Sequence, residues 1–287
     1  MLQPSSAPRP RRRGASTIAA VALALAAIGA PAARAEPLRV CADPNNMPFS
    51  DRKGEGFENK LATLVAGELG RDGVAYTWWA QRRGFLRNTL QAGLCDVVIG
   101  VPKLDAIATT RPYYRSTYVF VTRADRDIDI SSMDDARLRD FRIGVHLIGD
   151  DGVNTPPVQA LGAQGIVGNV KGYMIYGDYR EGSPPSRLVE AVETGEVDIA
   201  AVWGPLAGYV AQQSPVPLRI APIAHTERYL PNLFQYSIAM GVRREDGALR
   251  AELDRIVVDR AADIRSILVS YGVPLVEAQT AGASAPL

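Results

Sequence analysis

Apolar positions along the chain alternate between short runs of strand length and longer stretches at helical spacing, the alternation expected of an α/β fold. LRVCA, Leu38 to Ala42, predicts the first strand, and Asp43 to Ser50 a proline-bounded loop leaving its carboxyl end. After Gly54 and Gly56, residues Phe57, Leu61, Leu64, Val65 and Leu69 repeat at helical spacing up to Gly70. Val74 to Trp78 predicts the second strand. Phe85, Leu86, Leu90 and Leu94 then fall on one helical face before a Gly93 stop, and Asp96 to Gly100 reads as a buried strand. Tyr76 to Pro102 therefore predicts a right-handed β-α-β crossover. Ligands of open α/β sheets settle beyond the carboxyl ends of such strands, which aims Gly100, Val101 and Pro102 at a cleft.

Tyr118 to Thr122 predicts a further strand, after which Arg123 to Leu138 turns charged, the kind of shift that marks a lobe boundary. A second alternation follows. It comprises a strand over Phe141 to His146, a loop at Gly149 to Gly152, a helix from Pro157 to Leu161 and a strand ending at Tyr176. Next come a helix over Arg187 to Glu193, a buried strand over Val197 to Val202, a helix from Trp203-Gly204-Pro205 to about Gln212, and a strand over Leu218 to Ile223. Gln235 to Val242 predicts a strand leading back to the first lobe, and two helices, Gly247 to Asp259 and Ala261 to Tyr271, close the chain. The expected lobe crossings are Val121–Ala124 and Phe234–Ser237.

The N-terminus changes the picture of where this fold works. Arg9, Arg11, Arg12 and Arg13, an apolar run from Ile18 to Ile28, and Ala33-Arg34-Ala35 have the order of a signal peptide over residues 1–35. The run is shorter than the ~20 residues a membrane span needs, so no anchor is expected in the mature chain. Export makes the two cysteines, Cys41 and Cys95, candidates for a disulfide, and a parallel sheet would put their strands side by side. Net charge is +1 over 287 residues, without the basic footprint of a nucleic-acid binder.

Chemistry is sparse. His146 and His225 lack ligand spacing, and no nucleophile elbow, phosphate loop or dinucleotide fingerprint occurs, so neither a catalytic residue nor a metal site is predicted. Asp150-Asp151 reads as a solvated loop. Asp43, Asn45, Asn46, Met47, Phe49 and Ser50 are candidates to line a ligand or partner surface, the alternative being that Asp43 and Asn45 only cap turns in a proline-rich loop. Val101, Pro102, Trp203, Gly204 and Pro205 stand at strand carboxyl ends and complete the candidate cleft. Trp78 and Trp79 face opposite ways on a strand, leaving at least one for a partner, and Gln81, Arg82, Arg83 and Arg87 form either a solvated face or a patch for an acidic partner.

LRVCADPNNMPFS, a GFE helix opening, PYY, and a helical tail ending SYG together resemble the periplasmic solute-binding proteins over nearly the whole mature chain. GFLRNTLQAGLCDVVIGVP, GYMIYGDY and GEVDIAAVWGPLAGY resemble more narrowly the quinoprotein dehydrogenase-associated MxaJ/XoxJ branch. The resemblance implies a two-lobed type II fold joined by two hinge strands, with residues 36–122 and 235–275 in the first lobe, 123–234 in the second, and a 276–287 tail. It also implies a non-enzymatic periplasmic accessory protein that carries no cofactor and binds a methanol dehydrogenase holding PQQ and a metal, with that enzyme's cytochrome c as a further candidate partner. The alternatives are a receptor delivering a non-amino-acid solute to an ABC transporter, and a binding scaffold turned enzyme. Amino-acid-binding relatives clamp a zwitterion with an arginine after the strand matching Asp96–Gly100 and an aspartate after that matching Val197–Val202. Here those turns read Val101-Pro102-Lys103-Leu104 and Trp203-Gly204-Pro205.

Overall fold

The computed structural model describes residues 35–148, 154–175 and 182–277. The signal-peptide expectation up to residue 34, the loop with Asp150 and Asp151, Tyr176, Tyr179 and the tail beyond 277 lie outside the described residues.

Strand β1 (Leu38–Ala42) leads into a loop whose short strands β2 (Asn45–Asn46) and β3 (Ser50–Asp51) pair with each other. Helix α1 (Phe57–Glu68), strand β4 (Val74–Trp78), the single turn α2 (Phe85–Asn88) and strand β5 (Val98–Pro102) follow. Then come β6 (Ala108–Thr109) and the ten-residue β7 (Tyr114–Arg123). The middle of the chain supplies β8 (Ile143–Leu147), α3 (Pro156–Ala163), β9 (Val170–Met174), α4 (Arg187–Glu193), β10 (Ile199–Trp203), α5 (Gly204–Gln213) and β11 (Leu218–Pro222). Strand β12 (Gln235–Val242) and helices α6 (Gly247–Asp259) and α7 (Ala261–Ser270) end it.

The main sheet runs β5-β12-β7-β10-β8-β9, with β11 also on β7 and β6 on β12. Strand β7 joins two lobes because it changes partners midway. Its first half, Tyr114 to Thr117, pairs antiparallel with β12, and its second, from Tyr118, pairs with β10 and β11. The outward crossing therefore falls at Thr117–Tyr118, several residues before the expected Val121–Ala124. The sequence misplaces it because the charged shift begins only where β7 ends, after Val119, Phe120 and Val121 are already buried in second-lobe cores. The return crossing lies at Phe234–Gln235, since Phe234 packs with Ile130 and Met133 whereas Ile238 packs with the first-lobe core around Phe57 and Leu61.

The central crossover departs from expectation. Instead of a helix carrying Leu94 on its inner face, α2 stops at Asn88, because Thr89 leaves the helical region (φ −126°, ψ −82°). Leu90 is fully buried but Leu94 is half exposed, so the apolar spacing was not a single buried face. Strand β1 lies parallel to β4 and bridges to the chain ahead of β5 through Val40 and Val97. That placement brings Cys41 and Cys95 together in a disulfide, Cα atoms 5.5 Å apart, within a small core with Phe85 and Leu90.

Candidate functional site

The loop after β1 is held by its own first residue. Asp43, 3% exposed, accepts the backbone N–H of Asn45 at 2.9 Å and of Gln81 at 2.7 Å, while Ser50 donates to the Asp43 carbonyl. Asx-type bonding of this kind fixes a turn, so Asp43 positions the loop and is not itself exposed to a ligand. Asn46 and Phe49, brought inward by the β2–β3 pair, line a cavity of about 170 Å³ at the junction of the lobes. Gln81, Gly100, Tyr114, Ile238 and Trp203 complete it, together with one residue the sequence did not single out, Glu58.

Glu58 sits in the first turn of α1, where an acid is ordinary because it faces the helix's positive end. Its neighbours Phe57 and Asn59 are buried as well, so this turn points into the protein and carries the carboxyl with it. Burial, then repulsion from Asp43, pushes the Glu58 carboxyl up to about 8. Gly100 makes the space: a Cβ built there would overlap Glu58 Oε1. Gln81 is oriented over it, donating weakly to the Gly100 carbonyl and accepting from Asn46 Nδ2, each at 3.4 Å.

Trp203 reaches this cavity from the second lobe at the end of β10, its ring 5.4 Å from Tyr118 and 5.7 Å from Tyr236 between centroids. The other expected cleft residues separate. Asn45 and Met47 border an outer pocket of about 500 Å³ that also takes in Ser183 and Tyr209. Val101 and Pro102 belong to a groove of about 460 Å³ beside α2. Side chains alternate along a strand, so while Gly100 faces Glu58, Val101 turns to the disulfide core. Gly204 and Pro205 are buried: a Cβ on Gly204 would overlap the Thr117 carbonyl and Pro274. Gly204 packs α5 against the first lobe and Pro205 is buried beside it, so neither borders an open cleft, and the single open cleft expected between the lobes is replaced by these separate spaces.

The groove beside α2 is lined by Arg82, Arg83 and Arg87 with Phe85, Leu86 and Leu104, and Trp79 close in sequence is 42% exposed. Lys103 is exposed just past β5, and Arg111 pairs with Asp254 on α6, 3.7 Å away, so neither occupies the carboxylate-clamp position. His146 is buried and hydrogen-bonded to the Pro185 carbonyl at 3.0 Å, and desolvation lowers it to about 4; His225 lies on the surface near Glu227. Among the described residues no group of three His, Cys, Asp or Glu could hold a metal ion, and no helix is long and apolar enough to cross a membrane.

Residues 38–271 match the model of the bacterial extracellular solute-binding proteins, family 3. Protein MoxJ of Methylorubrum extorquens is 34% identical, over 92% of this chain and 96% of that protein. The crystal structure of periplasmic binding protein XoxJ from Methylobacterium extorquens AM1 superposes with a TM-score of 0.69 at 37% identity, over 84% of this chain and all of that one. That of MxaJ from Methlophaga aminisulfidivorans MPT gives 0.70 at 27% identity, over 83% and 100%. The two-lobed type II fold follows from these neighbours and from the strand exchange in β7 and β12. The chain belongs to the bacterial extracellular solute-binding proteins, family 3, and within that family it groups with MoxJ, MxaJ and XoxJ.

Proposed function

We propose that the protein is a non-enzymatic periplasmic accessory protein of methanol oxidation that binds a PQQ-dependent methanol dehydrogenase, or an immature form of it, through the rim of its cleft. The observation that carries this reading is the loss of the zwitterion clamp. Past β5 stands an exposed lysine, and at the end of β10 the indole of Trp203 packs between Tyr118 and Tyr236. A lysine does not replace the bidentate fork of an arginine, and the carboxylate of an α-amino acid buried here would find no cation to receive it. The likeness to MoxJ, MxaJ and XoxJ supports the same reading, since resemblance to that branch implies an association with quinoprotein dehydrogenases. PQQ, its metal and any cytochrome c contact belong in this reading to the partner.

The groove beside α2 offers the rim surface, with arginines around Phe85, Leu86 and Leu104 and the exposed Trp79 close by in sequence. Large aromatics and arginine are the usual anchors of protein contacts, and a basic rim steers an acidic partner at a salt-dependent rate. Immobilised protein exposed to purified mature and cofactor-free dehydrogenase tests this. Saturable binding that weakens with salt and drops at least about tenfold in an R82E/R87E variant is expected. Failure to bind either form, with capture of ABC-transporter membrane components instead, would sink the accessory role. It would favour the second reading, a receptor for a non-amino-acid solute, to which the cavity at Glu58 lends support.

A further inference from the structure

The cavity at Glu58 lacks a counter-charge. Glu58 is 7% exposed as a residue, and among the described residues nothing hydrogen-bonds or ion-pairs with its carboxyl. None of the cavity's lining residues is Lys or Arg. The groups facing Glu58 from the elements packed around it are Asp43 after β1, Tyr76 on β4, Tyr113 ahead of β7, and Tyr114 on β7. Asp43 spends its oxygens on Asn45 and Gln81, and the Tyr113 hydroxyl donates to the Ile99 carbonyl at 3.1 Å. Every charged neighbour is thus an acid, and an unpaired carboxyl in such a place costs free energy unless a donor arrives.

The cavity's size and walls narrow that donor's identity. About 170 Å³ is below the ~300–1,000 Å³ of drug-sized sites, which leaves room for a few heavy atoms. Phe49, Tyr114 and Trp203 contribute three aromatic rings, surroundings that attract alkylated ammonium ions. An α-amino acid would bring a second carboxylate beside Glu58 and Asp43 with no arginine to receive it.

We propose that this cavity binds a small free organic ammonium ion, on the scale of methylammonium to trimethylammonium, paired with the Glu58 carboxylate and walled by Phe49, Tyr114 and Trp203. Binding couples to one proton. Glu58 is protonated near neutrality, since burial and Asp43 hold its carboxyl at about 8, so the entering cation displaces its proton to the buffer and leaves an ammonium–carboxylate pair. The site is independent of whether the rim docks on a dehydrogenase.

The test is calorimetric titration of protein purified from periplasmic extract with methylammonium and trimethylammonium chloride at pH 7, in two buffers of different ionisation enthalpy. Saturable binding of at least one, with close to one proton released, is the expected result. Glu58→Gln, shown folded by its melting curve, should weaken binding at least about tenfold and abolish the buffer dependence; should it not fold, the wild-type proton count decides alone. Potassium chloride and tert-butanol, a cation without methyl groups and a neutral isostere, should not bind. No saturable binding up to roughly 50 mM overturns the proposal, as does an ammonium that binds without proton release. So does binding of Nα-acetyl-lysine amide while both free ammonium ions fail, which would give the cavity to a partner's lysine.

Discussion

At the scale of single residues, Glu58 decides how this protein responds to pH. In the unfolded chain its carboxyl ionises near the ordinary 4.5, whereas the folded protein keeps the proton until about 8. Between those values the unfolded state binds fewer protons, so stability falls as pH rises through the window. The loss reaches about 3 kcal/mol by pH 7 on the usual conversion. Glu58→Gln keeps the shape and removes the charge. Urea unfolding should therefore find the variant close to wild type near pH 4 and more stable than wild type at pH 8. Parallel profiles across that range would show that the carboxyl is hydrated, and the unpaired-acid account would fall with them. The residue was invisible in sequence for a plain reason: an acid in the first turn of a helix is the default surface choice, and only the packing of Phe57 and Asn59 on either side turns it inward.

At the scale of elements, the period of the apolar pattern was enough for α1, α6 and α7, where one face meets a core and the other meets solvent, and strand-length apolar runs were enough for β1, β4 and β12. It failed at α2. Phe85, Leu86 and Leu90 do point inward, but Cys95 and its bridge, not a continuing helix, tie this crossover down, and Leu94 is left outside. The same limit applied to Trp203-Gly204-Pro205, whose position at a strand end was legible while the direction of each side chain was not. Trp203 enters the cavity, yet Gly204 lies against the first lobe and Pro205 is buried. The disulfide was readable from export and strand adjacency alone. It closes a separation of 54 residues, for which the chain-entropy model gives about 4 kcal/mol. A Cys41→Ala/Cys95→Ala double variant should lose stability of that order in denaturant, together with the groove beside α2. A loss below about 1 kcal/mol would mean that Arg243, which donates to the Cys95 carbonyl and to Asp96, already holds this corner.

At the scale of the molecule, the lobes touch on several sides of the cavity. Ser183 N–H donates to Asn45 Oδ1 at 3.2 Å, Tyr209 stacks on Tyr271 with centroids 5.9 Å apart, and Trp203 packs against the first-lobe core. Helix α5 comes close to the first lobe, because Gly208 lies directly on the Gly272 carbonyl and a Cβ at position 208 would overlap it. Gly272 has φ +67° and itself has no space for a side chain against Gly208, so neither partner can yield by changing rotamer. A leucine at 208 has to part α5 from the chain after α7, which acts as a wedge between the lobes at a cost of about 1–3 kcal/mol. Gly208→Leu should thus show a lower melting temperature and, in small-angle scattering, a radius of gyration above the roughly 18 Å of a compact chain of this size. Separating Trp203 from Glu58 would also open the cavity, and ammonium binding should weaken in the same variant. A lower melting temperature with unchanged scattering would place the strain within α5 and show that closure does not depend on this contact.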